Sequence, residues 1–309
     1  MTQAAAQSSA SASADVIVVG AGPAGSSAAY HMATLGLDVI LLEKQELGRD
    51  KVCGDGLTPS AVRELVSMGV DTSGWQRNRG LRVIGGGHLL HFPWPEQASF
   101  PSYGMARPRA LLDRDLAEHA AAAGARLLTG VTVTGPITSP TGRVAGVEAR
   151  PTNRVAYPGI EAPTTFTAPL VVDAGGVSAR LATAVGRTKN ERRPMGVAVR
   201  AYFRSPRAKD AWMESRLELW DGKPGKSDLL PGYGWIWSVG EGLVNVGLGS
   251  VSSRASATAI DYRAVFNRWM DNVPASWGFT KENQVGGLVS AALPMAFNRK
   301  PHYADGLML

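Results

Sequence analysis

The stretch Asp15–Lys44, DVIVVGAGPAGSSAAYHMATLGLDVILLEK, decides the fold. Val16 to Val19 is a short apolar run rich in β-branched residues and reads as a buried strand. A glycine turn follows, then a helix of small residues, then a second apolar strand from Val39 to Leu42. Gly20, Gly22 and Gly25 stand in G-x-G-x-x-G spacing directly after the first strand. There the first glycine permits the tight turn, the second lets a pyrophosphate approach the backbone, and the third lets helix pack on strand. The helix N-terminus offers free amides and a partial positive charge to phosphate. Glu43 ends the second strand, 23 residues after Gly20, where a carboxylate can accept from a ribose 2′-hydroxyl and would repel a 2′-phosphate. Glycines alone could mark a plain connecting turn. Strand, helix and acid together predict an adenine dinucleotide site, and leave FAD and NAD both open.

The rest of the composition bounds the class. At 309 residues, with 44% hydrophobic and 19% charged residues, the chain is long enough for two globular domains and unlike a disordered segment. Its one cysteine, Cys53, excludes an intrachain disulfide and agrees with a reducing compartment. The formal charge of +6 suits phosphate-bearing cofactors, an anionic membrane surface, or simply a solvated basic surface. The opening MTQAAAQSSASASA has neither the basic nor the apolar region of a secretory signal, and residues 1–14 are expected to be a disordered tail. No uncharged apolar run is long enough to span a bilayer, so the expected location is the cytoplasm, with a peripheral position at the inner face of the membrane as one option. The five histidines show no metal-ligand spacing, and no Ser/His/Asp set or nucleic-acid motif is present.

Shortly after Glu43 comes Arg49–Pro59, RDKVCGDGLTP, which brings Cys53, Gly54 and Gly56 into one loop before the helix pattern PSAVRELVSMG. The glycines let backbone come close to a flat ring. With the G-x-G-P-A-G unit this loop resembles the geranylgeranyl reductase family of FAD-dependent oxidoreductases, in which an R-D-K-x-C-G-x-G loop lies beside the flavin. The actinobacterial menaquinone-chain reductases look most similar, from about Asp15 to the end. The resemblance implies an α/β fold of p-hydroxybenzoate hydroxylase-like architecture, a Rossmann-like FAD-binding domain with an antiparallel-sheet substrate domain. It implies FAD contacts from Gly20, Gly22, Pro23, Ala24, Gly25, Glu43, Lys44, Cys53, Gly54 and Gly56. Arg109, in a segment like the family's R-x-x-[LF]-D-x-x-L, and the strand around Val131 would join them. LVVDAGGVSARLATAVG resembles the family's A-D-G-x-x-S turn, but Gly175 stands at the aspartate position and Asp173 lies two residues earlier.

GYGWIWSVGEGLVNVGLG reads as a hairpin, Trp235 to Val239 and Leu243 to Leu248, turning at Gly240 and Gly242. Strand alternation puts Tyr233, Trp235 and Trp237 on one face, either as sheet core or as a wall for a long apolar ligand. The family's substrate-lining Y-x-W-x-F-P motif is matched at Tyr233 and Trp235, with Trp237 and Ser238 replacing Phe and Pro. The closing YADGLML resembles the start of the strand that, in the family, leads to a G-D-A-x-G turn on FAD, so the chain is expected to be C-terminally truncated. The expected domains are 15–75, 105–188 and 300–309 for FAD, incomplete at the C-terminus, and 76–104 and 189–299 for substrate.

The activity this implies is hydrogenation of C=C bonds in a polyprenyl chain, of a geranylgeranyl lipid or a menaquinone, by hydride from reduced flavin. NAD(P)H is a candidate reductant. Protonation is expected to lead, building tertiary cation character that tryptophan faces stabilise. Cys53 and Asp55 are the candidate catalytic residues. Cys53 either donates or relays the proton or packs as a small side chain, and Asp55 either relays a proton or bonds the turn. Two other readings stand beside this one: an FAD-dependent aromatic monooxygenase, and a non-catalytic nucleotide- or lipid-binding remnant.

Overall fold

Val16–Val19 forms a strand near the middle of a six-stranded sheet. In order, its strands are Tyr303–Ala304, Leu307–Met308, Leu170–Asp173, Val16–Val19, Val39–Leu42 and Arg126–Leu128. All neighbours from Leu307–Met308 to Arg126–Leu128 pair in parallel. Parallel strands need both faces covered, and the alternation of the strand sequences supplies two apolar faces. Val16, Val18, Val39 and Leu41 bury against helix residues Ala29, Ala117 and Ala120, which belong to the helices Pro23–Thr34 and Arg109–Ala122. Ile17, Ile40, Leu42 and Val171 face the other way, onto Val131, Val147 and Phe166 of a second, four-stranded sheet. This computed structural model describes residues 11–152, 164–190, 193, 195–252, 260–294 and 299–309. They fall into two compact units: Met1–Arg49, Ala110–Asn190 and Phe297–Leu309; and Asp50–Arg109 and Glu191–Ala296.

Two expectations are corrected within the first unit. The expected tail does not reach residue 14, because Ser11–Ser13 is a strand paired in parallel with Thr164–Thr167. Its alternation turns Ala12 toward the core while the serines flank it; residues 1–10 of that tail lie outside the described residues. The boundary also moves. Segments 50–75 and 105–109, expected with the nucleotide strands, group with the second unit, since Gly56–Leu57 and Gln76–Asn78 both pair with Gly104–Ala106.

The second unit is built on a seven-stranded sheet. Its order is Gln284–Pro294, Met195–Arg204, Leu243–Ser252, Gly232–Gly240, Trp212–Arg216, Gly80–Gly85 and His88–Pro93. Five of its six pairings are antiparallel as expected. The sixth, Trp212–Arg216 with Gly80–Gly85, is parallel, because these strands come from distant parts of the chain rather than from one hairpin. One face is covered by the helix Tyr262–Met270, capped by Asp261, whose Oδ1 accepts from the amides of Arg263 and Ala264 at 3.0 and 3.1 Å. Tyr262, Val265, Phe266 and Trp269 recur on one helix stripe and bury against Val199, Phe203, Ile236 and Val246, each worth about 1.5–3 kcal/mol. The opposite face carries the aromatic row.

Candidate active site

In the first unit the glycine turn is closed by backbone contact. Gly20 has φ 104°, and a Cβ there would lie 2.6 Å from the Ala174 carbonyl oxygen. A Cβ on Gly25 would lie 1.9 Å from the Gly20 carbonyl oxygen, whereas one on Gly22 would meet nothing within 4 Å. The helix Pro23–Thr34 therefore packs tightly through Gly25 and leaves open space at Gly22, its N-cap, which has no side-chain cap bond. Uncapped first-turn amides are a phosphate cradle. Ser26 Oγ, buried just inside this turn, has no protein partner.

Glu43 is 4% exposed. It accepts from the Ala21 amide at 2.9 Å and the Gln45 amide at 3.0 Å, with Arg49 Nε at 3.7 Å, and its oxygens have lone pairs to spare for a ribose hydroxyl. Beside it Lys44 to Arg49 and Gly130 line a pocket of about 250 Å³. Val131 meets this region through its backbone, whose amide donates to the Glu43 carbonyl at 2.9 Å; its side chain is in the core. Asp173 serves the fold, accepting from the amides of Gly175 and Ala182 at 3.0 and 2.9 Å.

In the second unit, cross-strand register gathers the side chains. Tyr202 lies opposite Asn245 and Asn245 opposite Trp237; Arg200 lies opposite Gly247 and Gly247 opposite Trp235. All of these face the Cys53 loop. Trp237 Nε1 donates to the Gly54 carbonyl at 2.6 Å, and Asn245 Nδ2 donates to the Cys53 carbonyl at 2.9 Å and to Asp55 Oδ2 at 2.8 Å. Tyr202 Oη also donates to Asp55 Oδ2, and the Arg109 amide donates to Oδ1 at 3.1 Å. Asp55 itself adopts φ 64°, a left-handed conformation that aspartate and asparagine tolerate better than most residues. Gly54 makes room for the Trp237 indole, whose Cζ2 would lie 2.8 Å from a Cβ there, and Gly56 makes room for Met213, whose Cε would lie 2.3 Å from one.

The electrostatics follow from burial. Asp55 is 1% exposed, and loss of water pushes its carboxyl up to about 6, although the bonds from Tyr202 and Asn245, the nearby Arg200 charge and the Arg109 amide all pull it down. Burial, with the adjacent Asp55 charge and hydrogen bond, pushes the Tyr202 phenol up, so it remains a neutral donor. Arg200, 1% exposed, pairs with Asp50 and lies 4.2 Å over the Tyr202 ring, with its Nε unpartnered. Cys53 is half-buried and its Sγ accepts the Asp55 amide at 3.4 Å.

The aromatic row forms as expected, with ring centroids 6.0 Å apart from Tyr233 to Trp235 and from Trp235 to Trp237. Its members are not equally open. Tyr233 is 44% exposed, whereas Trp235 and Trp237 are buried and spend their N–H groups on Asn245 and the loop. Sequence reading missed Tyr202, Asn245 and Arg200; the available signal was a polar residue standing inside the apolar runs MGVAVRAYF and LVNVGLG. Among the described residues there is no cluster able to hold a metal ion, and no helix long and apolar enough to cross a membrane.

A parallel sheet with a glycine turn on a helix N-terminus, joined in one chain to a large mixed sheet, defines an FAD-binding flavoprotein fold. The chain belongs to the FAD binding domain family, whose profile matches residues 13–258, and its cofactor is FAD. It is 38% identical over 286 residues to the menaquinone reductase of Mycolicibacterium smegmatis, covering 91% of this chain and 65% of that relative. It is 30% identical over 256 residues to digeranylgeranylglycerophospholipid reductase 1 of Methanosphaera stadtmanae, covering 80% of this chain and 57% of that relative. The chain thus spans about two thirds or less of the length of these relatives. Among solved structures, a geranylgeranyl bacteriochlorophyll reductase-like protein from Thermoplasma acidophilum shares the fold, with TM-score 0.76 at 24% identity over 96% of this chain and 70% of that one. The residues present fit the cofactor: the open cradle at Gly22, the uncapped amides, the unpartnered Ser26 hydroxyl and the Glu43 carboxylate suit a diphosphate and ribose.

Proposed function

We propose that this protein is an FAD-dependent reductase that adds two hydrogens across a carbon–carbon double bond in the polyprenyl chain of a menaquinone or geranylgeranyl lipid. The observation that carries the reading is Asp55, a buried carboxyl bonded by Tyr202, Asn245 and the Arg109 amide on a loop under an aromatic strand. The named activities of the similar menaquinone and digeranylgeranylglycerophospholipid reductases support the same substrate class. In the first unit the amides after Gly22 and the Ser26 hydroxyl bind the diphosphate, Glu43 takes a ribose hydroxyl, and the pocket from Lys44 to Arg49 takes the adenosine end. Bound and reduced, FAD supplies the hydride.

An isolated trisubstituted alkene accepts hydride poorly, so the proton must come from the protein at the other carbon. We assign that role to Asp55: burial weakens its charged form, and Tyr202 and Asn245 stabilise the carboxylate left behind. Cys53 positions Asp55 by accepting its amide. Tyr233, 44% exposed, presents the open aromatic face to the chain, and the buried Trp235 and Trp237 rings stack behind it and hold the loop that carries Asp55. Tyr202→Phe removes a bond that lowers the Asp55 pKa. Its acid limb should move up by about one pH unit, as expected for loss of roughly 1.5 kcal/mol from a hydrogen bond to a charged group. A rate that falls with no shift in the pH profile would make Tyr202 merely structural.

The test is to add FAD to the purified protein, reduce it with dithionite and supply a prenylated quinone or a geranylgeranyl lipid. A yellow protein and products heavier by two hydrogens support the proposal. Flavin binding with oxygen consumption on a phenolic substrate and no mass gain would replace it with a monooxygenase, and a colourless preparation would leave a non-catalytic protein.

A further inference from the structure

The hairpin Gly80–Gly85 and His88–Pro93 closes one edge of the large sheet, and all six residues of its outer strand are exposed. Leu89, Leu90 and Phe92 are 55%, 51% and 50% exposed. Strand alternation sends Leu89 to one face and Leu90 and Phe92 to the other, so apolar side chains stand open on both sides of one strand. A protein docking on the sheet would cover a single face; an enveloping apolar medium covers both.

The chain that carries the hairpin is mostly basic. From Thr72 to Leu112 the chain carries Arg77, Arg79, Arg82, Arg107 and Arg109 against the single acid Glu96. Arg82 is engaged by Asp210 and Glu214, whereas Arg77 and Arg79 are exposed at the base of the hairpin. That base is pinned by Trp94, whose amide donates to the Arg79 carbonyl at 2.9 Å and whose Nε1 donates to Asn78 at 2.7 Å. Arginine and tryptophan at the base of an apolar arm match the order of headgroup and acyl layers in a bilayer.

We propose that this hairpin docks the protein on an anionic phospholipid surface, with Leu89, Leu90 and Phe92 entering the boundary between headgroups and acyl chains, and Arg77 and Arg79 meeting the phosphates. The inference goes beyond the reductase reading and stands without it; a lipid substrate only gives it a use.

The experiment is flotation of the whole chain with vesicles of phosphatidylcholine alone and with added phosphatidylglycerol, both free of any prenyl lipid, so that catalysis plays no part. Binding should require the anionic lipid and weaken as salt rises. The double variant Leu90→Ser/Phe92→Ser changes half-exposed side chains and should stay folded by circular dichroism while its partition falls by about tenfold or more. Arg77→Glu/Arg79→Glu should abolish the preference for phosphatidylglycerol. Equal binding by wild type and the serine variant, or no binding by wild type, overturns the proposal. So does a wild-type dimer that the serine variant turns into a monomer, which would assign the edge strand to a second copy of the chain.

Discussion

Asp55→Asn should slow double-bond reduction by about 10²–10⁴-fold, the usual contribution of a positioned general acid, while leaving FAD uptake by the Gly20–Gly25 turn intact. Asparagine keeps the left-handed backbone at this position, where φ is 64°, and keeps an oxygen for Tyr202 and Asn245; its NH2 gives up only the bond from the Arg109 amide, so the variant removes the proton with little change in shape. The wild-type rate should fall as pH rises through about 6, because only the protonated carboxyl can donate, and the variant should lose that limb. Stability carries the same signature. A carboxyl whose pKa stands at about 6 in the folded protein against 3.8 for an ordinary aspartate favours folding in its neutral form. That contribution is complete below about pH 4 and is lost as pH rises through 6. Wild type minus Asp55→Asn should therefore change by about 3 kcal/mol across the window, read from denaturant melts at pH 4 and pH 7. A difference that stays flat would mean that the carboxyl ionises normally. Cys53→Ala should by comparison retain most of the rate, since its sulfur accepts one amide and the Asn245 and Arg109 contacts remain.

The second large effect separates two glycines three residues apart. Gly25→Ala places a methyl 1.9 Å from the Gly20 carbonyl oxygen and 3.0 Å from the Ala174 Cβ, both on parts of the turn that cannot give way. It should cost about 3 kcal/mol or more and be seen as a lowered melting temperature with or without FAD. Gly22→Ala meets nothing within 4 Å, and its φ of −82° suits alanine. It should melt as wild type does, yet bind FAD at least about tenfold more weakly, because the methyl fills the space that brings a phosphate to the amides. Equal FAD affinity for Gly22→Ala and wild type would remove the phosphate from this turn.

Why one half of the protein can be read so directly and the other cannot is visible in these residues. Gly20, Gly22, Gly25 and Glu43 belong to one βαβ unit, and local spacing alone brings them together. The Asp55 environment is assembled by sheet register: Tyr202, Asn245 and Trp237 become neighbours only because three antiparallel strands pair in one alignment, and a shift of one residue would turn each of them to the opposite face. Gly54 and Gly56 were legible as positions where something comes close; that the neighbours are Trp237 and Met213 depends on strands far along the chain. The parallel pairing of Trp212–Arg216 with Gly80–Gly85 and the short strand Ser11–Ser13 were hidden for the same reason, since their partners are remote and their own patterns weak. Tyr233, Trp235 and Trp237 could be placed on one face by alternation, but burial of the two tryptophans comes from the loop packed on them, which alternation does not encode.

The claim on which the proposed chemistry turns is that burial raises the Asp55 carboxyl well above an ordinary aspartate, to about 6. The direct measurement is a pH titration of the side-chain carboxyl carbons by NMR, with aspartate labelled at the carboxyl and Asp55→Asn used to assign the resonance. A midpoint near 6, moving up in Tyr202→Phe, is the expected result. A midpoint at or below the ordinary aspartate value would contradict it.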